Sequence, residues 1–251
     1  MSHLRAFLLI CFCVGFGAQV ASGLTQNTNW LWIGMWAPAL GLLGAGREGL
    51  DVFRGLKVVG LKYLPVALLL GWLPHLLAQV LLYGAGLGDG VVDIDALPRL
   101  AGSLVVSTLA TTVLLALGEE LGWRGYLQNE LQQNFGFVKG TFVLGVVWSA
   151  WHIPANLAGL NGTENVWLVT FVTFPIGAIA MSYALGWIRN ASGSVWPCAL
   201  LHGANNAVSD VKLVEAQSAA VGDALDLAAY IVAGLLCLWL GIRQRNCGLR
   251  K

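Results

Sequence analysis

Charge is what this sequence has least of. Asp, Glu, Lys and Arg make up 11% of its 251 residues, against 57% hydrophobic residues and a mean hydropathy of +0.71. A soluble domain carries about 25% charged residues to cover its surface, so a water-soluble globule is excluded. The net charge of +1 says nothing about nucleic acid, and the basic residues form no dense patch that would suggest it. Repeats and low-complexity tracts are missing too. No HExxH helix is present, and neither Ser149 nor Ser209 sits in a GxSxG turn, so the usual zinc-protease and serine-nucleophile signatures are absent. Cysteine is scarce: Cys11, Cys13, Cys198 and Cys237 lie within apolar runs as small hydrophobes, and Cys247 lies in the tail. Cys11 and Cys13 point about 200° apart on a helix, which is wrong for a shared metal.

What the chain has instead is a series of apolar runs near the roughly 20 residues that cross a bilayer. They are Leu4–Gly23, Trp30–Gly46, Tyr63–Gly84, Leu100–Leu117 with a polar helical extension, Gly140–Leu160, Val166–Ile188, Ser194–Ser209 and Leu225–Ile242. Helices satisfy their own backbone hydrogen bonds in lipid. The expected fold is therefore all-α: a polytopic membrane helix bundle of about eight transmembrane helices, a single integral-membrane domain over residues 1–251.

Placing both termini in the cytoplasm puts Arg5, Arg47, Arg54, Lys57, Lys62, Arg124, Lys139, Arg189, Arg243, Arg245, Arg250 and Lys251 inside, and only Arg99 and Lys212 outside. That asymmetry obeys the positive-inside rule. The first run also fits a cleavable signal ending near Ala18–Gly23, an alternative that leaves the other orientations unchanged.

Between the runs, Thr25–Asn29 makes a tight hairpin, and Arg47–Lys62 reads either as a short amphipathic surface helix or as a solvated connection with positive-inside charge. Gly84–Leu97 is an outer loop, and Asn134-Phe135-Gly136 punctuates the fourth and fifth spans. Asn161-Gly162-Thr163 is a formal glycosylation sequon. Pro65 and Pro74 are candidate kinks, and His75 reads as a structural hydrogen-bonder.

Few polar groups enter the spans, and they fall on the fourth, fifth and seventh. Gly118-Glu119-Glu120-Leu121-Gly122-Trp123-Arg124 closes the fourth. Charges at that depth cost at least ~2.5 kcal/mol each and call for partners. Glu120 and Arg124, i and i+4, share a helical face and pair; Glu119, about 100° away, is left without a local partner. The fifth span offers Trp148 and His152, and the seventh His202 and Asn206, each again i and i+4. At 1.5 Å per residue, His202 lies about 12 Å from Ser194 and His152 about 18 Å from Gly140, so a common depth with Glu119 is expected. A carboxylate and an imidazole can activate one water, while a second imidazole and a carboxamide hold an oxyanion. That set suits amide hydrolysis without a covalent intermediate.

Glu119-Glu120-x-x-x-Arg124, aromatic-x-x-x-His152 and His202-x-x-x-Asn206 resemble the three ordered motifs of the CPBP intramembrane proteases. That family includes the Ras-converting CAAX prenyl endopeptidases and the bacterial Abi proteins. The match runs from about Gly118 to Ser209, with Trp148 where the motif usually has phenylalanine. The resemblance implies Glu119 and His152 as water activators, His202 and Asn206 as the oxyanion site, Glu120 and Arg124 as support, and a cavity open to the cytoplasm. It implies a glutamic-type mechanism with no cofactor; zinc on Glu119, His152 and His202 is the alternative. The implied partners are the bilayer and a peptide or membrane-anchored protein substrate. Buried Glu, His and Arg also mark transporter pathways, the rival class, and a purely structural pin is the third reading for Glu120 and Arg124.

Overall fold

The computed structural model describes residues 3–54, 59–90, 94–160, 165–209 and 211–248. Lys57, the sequon Asn161–Thr163, Arg250 and Lys251 lie outside them, as does the side chain of Cys247. The helices follow the apolar runs. They are α1 (His3–Thr25), α2 (Trp30–Gly41), α3 (Gly46–Arg54), α4 (Leu64–Gly84), α5 (Leu97–Thr111), α6 (Leu117–Gly122), α7 (Gln128–Trp151), α8 (Ile153–Leu157), α9 (Val166–Leu168), α10 (Phe174–Ser192), α11 (Trp196–Val208) and α12 (Ala219–Gly248). One departure from the all-α expectation is a small antiparallel ladder, β1 (Gly88–Gly90) on β2 (Val214–Ala216), which pairs Gly88 with Ala216 and Gly90 with Val214.

This is an integral membrane protein built inside out. Leu69, Leu73, Val106, Leu109, Val232, Leu235 and Leu236 are exposed on the outside of the bundle. In water such a surface would aggregate; in lipid it is solvated. Among the described residues, five stretches are long and apolar enough to cross: His3–Thr25, Leu61–Gly84, Leu97–Trp151, Val166–Ser192 and Ala219–Gln244. They are fewer than the eight spans expected for two reasons. The second and seventh runs form helices of only 12 and 13 residues. The fourth and fifth join in one 55-residue stretch.

That stretch is not straight. Gly136 inside α7 has φ 75° and ψ 175°, a left-handed φ that glycine adopts without a Cβ penalty. Beyond it the chain folds back: Gln132 Nε2 donates to Thr141 Oγ1 at 3.0 Å, across nine residues that a straight helix would separate by about 13 Å. The Asn134-Phe135-Gly136 punctuation is therefore a helical hairpin.

Contacts fix the direction of each helix. Gly34 faces Ala18 and Gly41 faces Phe7, so α2 runs antiparallel to α1. The second limb of α7 runs parallel to α1, with Gly15 at Trp151 and Gly23 at Ala158. Gly145 faces Ile179 and Gly186 faces Thr141, which sets α10 antiparallel to α7. Gly234 faces Ala180 and Gly241 faces Phe137, so α12 runs parallel to α10 and both described ends, His3 and Gly248, lie on one face of the bundle, here the terminal face. The turn after Thr25, the β-ladder and Ser209 lie on the far face.

The other sequence expectations resolve locally. Pro65 falls in the first turn of α4, where its missing N–H costs nothing, so only Pro74 lies inside that helix. Of Arg47–Lys62, α3 covers the first part only. His75 bonds, as expected, in a structural way: Nδ1 lies 2.8 Å from Asp226 Oδ2 and Nε2 3.1 Å from the Val211 carbonyl, tying α4 to α12. Its carboxylate partner comes from 151 residues away and was invisible in the sequence.

α11 packs between α4 and α5. Gly203 makes this close: a Cβ there would stand 2.6 Å from the backbone N of Thr112, while Thr111 Oγ1 donates to the Gly203 carbonyl at 2.7 Å. Small residues at such crossings let helix backbones meet in lipid. Gly203→Ala is expected to destabilise the protein by about 1–3 kcal/mol through overpacking against backbone that cannot move aside. The check is the thermal midpoint of the detergent-solubilised protein, which should fall.

Candidate active site

The two adjacent glutamates sit on α6, between π-helical turns at Thr112–Ala116 and Trp123–Leu127. Such turns widen the helix and recur at functional sites. Glu119, Glu120 and Arg124 are all fully buried.

Glu120 and Arg124 pair as the i, i+4 spacing predicted, with Nη1 donating to Oε1 at 2.9 Å. The same oxygen accepts from His202 Nδ1, also at 2.9 Å. An ionised Glu120 makes Nδ1 the donor of this bond, and Nε2 is the ring nitrogen left for the cavity. Arg124 Nη2 donates to Ser182 Oγ at 3.3 Å, its guanidinium lies 4.8 Å from the Trp148 ring centroid, and Arg189 Nε donates to the Arg124 carbonyl.

Glu119 is held differently. Its Oε2 accepts from the indole N–H of Trp148 at 2.7 Å and of Trp123 at 3.2 Å. Trp123 is four residues on, so Glu119 does have a local partner, contrary to the expectation from sequence. An indole N–H carries no charge, so nothing in the sequence marks it as a carboxylate's partner. Oε1 is buried without a hydrogen-bond partner.

His152 caps α7, and its Nδ1 pairs with the Trp148 carbonyl at 3.0 Å, again leaving Nε2. Its ring lies 4.7 Å from those of Trp151 and Phe174. Trp148 is thus the common neighbour: it bonds Glu119, underlies Arg124, and meets the His202 and His152 rings at 5.3 and 5.8 Å. A phenylalanine there could not donate to Glu119.

Glu119, Trp148, His152, His202 and Asn206 line one cavity of about 430 Å³. The sequence missed other lining groups, including Gln19, Asn205 and Asp226. Gln19 clamps the α7–α8 corner, donating to the Trp151 carbonyl and accepting from Ala155 N. Asn205 Nδ2 donates to Asn206 Oδ1 at 3.4 Å, which leaves the Asn206 amide hydrogens free. Among the described residues, no three His, Cys, Asp or Glu side chains are grouped to hold a metal ion, so the Glu119–His152–His202 ligand set is not assembled.

The cavity opens toward the far face, away from the end of the bundle that holds His3 and Gly248. Gly118 abuts Met35 and Trp36, only five or six residues, about 8 Å, below the start of α2 at Trp30 on the far face. Exposure rises the same way: Glu119 and His202 are buried, Asn205 and Asn206 partly so, and Ser209 is exposed. Toward the terminal face, Trp123, Leu127, Gln128, Leu185 and Ile188 are buried and close the floor. Depths counted from the inner helix ends, about 12 and 18 Å, suggest a site in the inner half of the bilayer open to the cytoplasm, but a depth does not say which end of the bundle is sealed.

A sealed-floor membrane bundle with a buried carboxylate, two imidazoles and a carboxamide around one chamber defines the class. The comparisons show what the central segment is similar to. Residues 101–208 match the family model described as Type II CAAX prenyl endopeptidase Rce1-like. "CAAX prenyl protease 2" of the archaeon Methanococcus maripaludis is 33% identical over 104 residues, 39% of this chain and 36% of that relative's length. The matched segment 101–208 holds all of the residues Glu119, Glu120, Arg124, Trp148, His152, His202 and Asn206.

Glu120→Gln removes one partner of a buried pair and leaves Arg124 uncompensated, so a loss of about 3–5 kcal/mol is expected. Glu119→Gln keeps an oxygen for both indoles and should cost far less. Denaturation of the two variants side by side checks the contrast.

Proposed function

We propose that this protein is an intramembrane endopeptidase of the glutamic type, acting on a peptide or membrane-anchored protein. We further propose that the chain crosses the membrane eight times, with both termini cytoplasmic. The 12- and 13-residue helices α2 and α11 then each count as a crossing, and Gly136 divides the 55-residue stretch into two.

One observation carries the reading. Glu119 has one oxygen fixed by two indoles and the other buried, unpartnered, on a cavity shared with His152, His202 and Asn206. Glu119 takes a proton from a water oriented by His152 Nε2, and the water oxygen attacks the scissile carbonyl carbon. Charge then develops on the carbonyl oxygen, and His202 Nε2–H and the Asn206 amide are its donors. For His202 to donate from Nε2 its ring carries both protons, and Glu120, 2.9 Å from Nδ1, supplies the counter-charge. Collapse breaks the C–N bond, and the proton passes from Glu119 to the leaving amine. The blind floor supports a reaction chamber over a transporter, which needs a path to both sides.

Glu119→Gln is expected to lower hydrolysis by about 10²–10⁴-fold. Asn206→Ala is expected to lower kcat by about 10²–10³-fold with KM little changed. The measurement is comparative peptidomics of membranes carrying wild type or Glu119→Gln, followed by kinetics on the peptide so found. Identical peptide sets from correctly folded protein would refute the assignment.

A further inference from the structure

The cavity's opening and the distribution of charge, taken together, say from which side a substrate arrives. The lining climbs from Glu119 and His202 to Ser209 at the end of α11, Leu160 beyond α8, Leu31 at the start of α2 and Asp226 in the first part of α12. All four belong to the far-face ends of their helices. His202 and Ser209 are seven residues apart, about 10 Å, and burial gives way to exposure over that distance. Among the described residues, no comparable approach exists from below. There the Glu120–Arg124–His202 network, the Arg124–Ser182 bond and the Gln128 bonds to Gly186 and Asn190 knit α6, α7, α10 and α11 together.

Charge identifies the two faces. The terminal face carries Arg5, Arg47, Lys62, Lys139, Arg189 and Arg243. The far face carries Arg99 and Lys212 against Asp89, Asp95, Glu215 and Asp223. Basic residues in short loops stay cytoplasmic, and acidic ones have little influence on orientation. The terminal face is therefore the cytoplasmic one.

We propose that the cavity opens to the extracytoplasmic side, and that its substrate is a peptide segment exposed there: a translocated chain, or the outer flank of a membrane-anchored one. The substrate half of this proposal rests on the peptidase reading above. It excludes a cytoplasmic tail, because such a tail would have to pass the buried Arg124 layer to reach Glu119. The scissile bond needs to descend only about 10 Å below the outer surface, a depth that an extended segment covers with three or four residues.

Sidedness is read without relying on activity. Ser209→Cys and Lys212→Cys report the far face, and Gln133→Cys, exposed beside the Gly136 hairpin, reports the terminal face. Each is placed in a Cys13→Ser, Cys247→Ser background, which leaves the buried thiols Cys11, Cys198 and Cys237. In sealed right-side-out vesicles, a membrane-impermeant maleimide should label Ser209→Cys and Lys212→Cys to the same extent before and after permeabilisation. Gln133→Cys should react only after it. The reverse pattern, or labelling of all three before permeabilisation, overturns the proposal. A second readout separates the two readings. External maleimide on Ser209→Cys should reduce Glu119-dependent cleavage severalfold. Correct sidedness with no Glu119-dependent cleavage would sink the peptidase reading and leave the orientation standing; cytoplasmic labelling with cleavage intact would do the opposite.

Discussion

Two carboxylates on consecutive residues, both removed from water, are the constraint around which the centre of this molecule is arranged. Neither can remain ionised at that depth without donors, and they cannot share one set, because they leave the helix about 100° apart. Glu120 is met by full charge, from Arg124, with His202 beside it. Glu119 is met only by two indole N–H dipoles on one of its oxygens. The first arrangement fixes a carboxylate in place. The second leaves one a free oxygen, and that difference is the basis of the division of labour proposed for them.

Most of the bundle serves to deliver those donors. The Gly136 hairpin returns the chain so that Trp148 and His152 come back beside the helix that carried Glu119. Gly203 lets α11 approach closely enough for His202 to reach Glu120. Ser182 and Arg189 on α10 then brace Arg124 from a fourth helix. These supports differ in kind, being a turn, a close approach and polar braces. Each acts on the same few ångströms.

Much of this was legible in the sequence, for a physical reason. The polar groups entering apolar runs are few, and their i, i+4 spacings state which of them share a face. Glu120 with Arg124, His152 on the fifth run and His202 with Asn206 on the seventh could all be read that way. Partners that carry no charge were not legible: Trp123 on Glu119 and Gln19 at the α7–α8 corner look like ordinary apolar or amide residues in a span. Nor was pairing across long separations, as in His75 with Asp226 or Gly88 with Ala216. The number of long helices fell short of the apolar runs because run length does not reveal where a helix is short or where two join. The direction of opening was hidden as well, since periodicity gives the face and depth of a residue but not which end of a bundle is filled.

The short β1–β2 ladder has a bearing beyond its size. It joins the α4–α5 connection to the segment after α11, and Gln79 fastens that segment again through Leu213 and Val214 N–H groups. The rim near Ser209 is therefore hemmed by backbone pairing, whereas the chemistry below is set by side chains on other turns. Rim and chamber can therefore change independently over evolutionary time: alterations in these far-face loops would reshape the mouth of the cavity while Glu119, His152 and His202 keep their places.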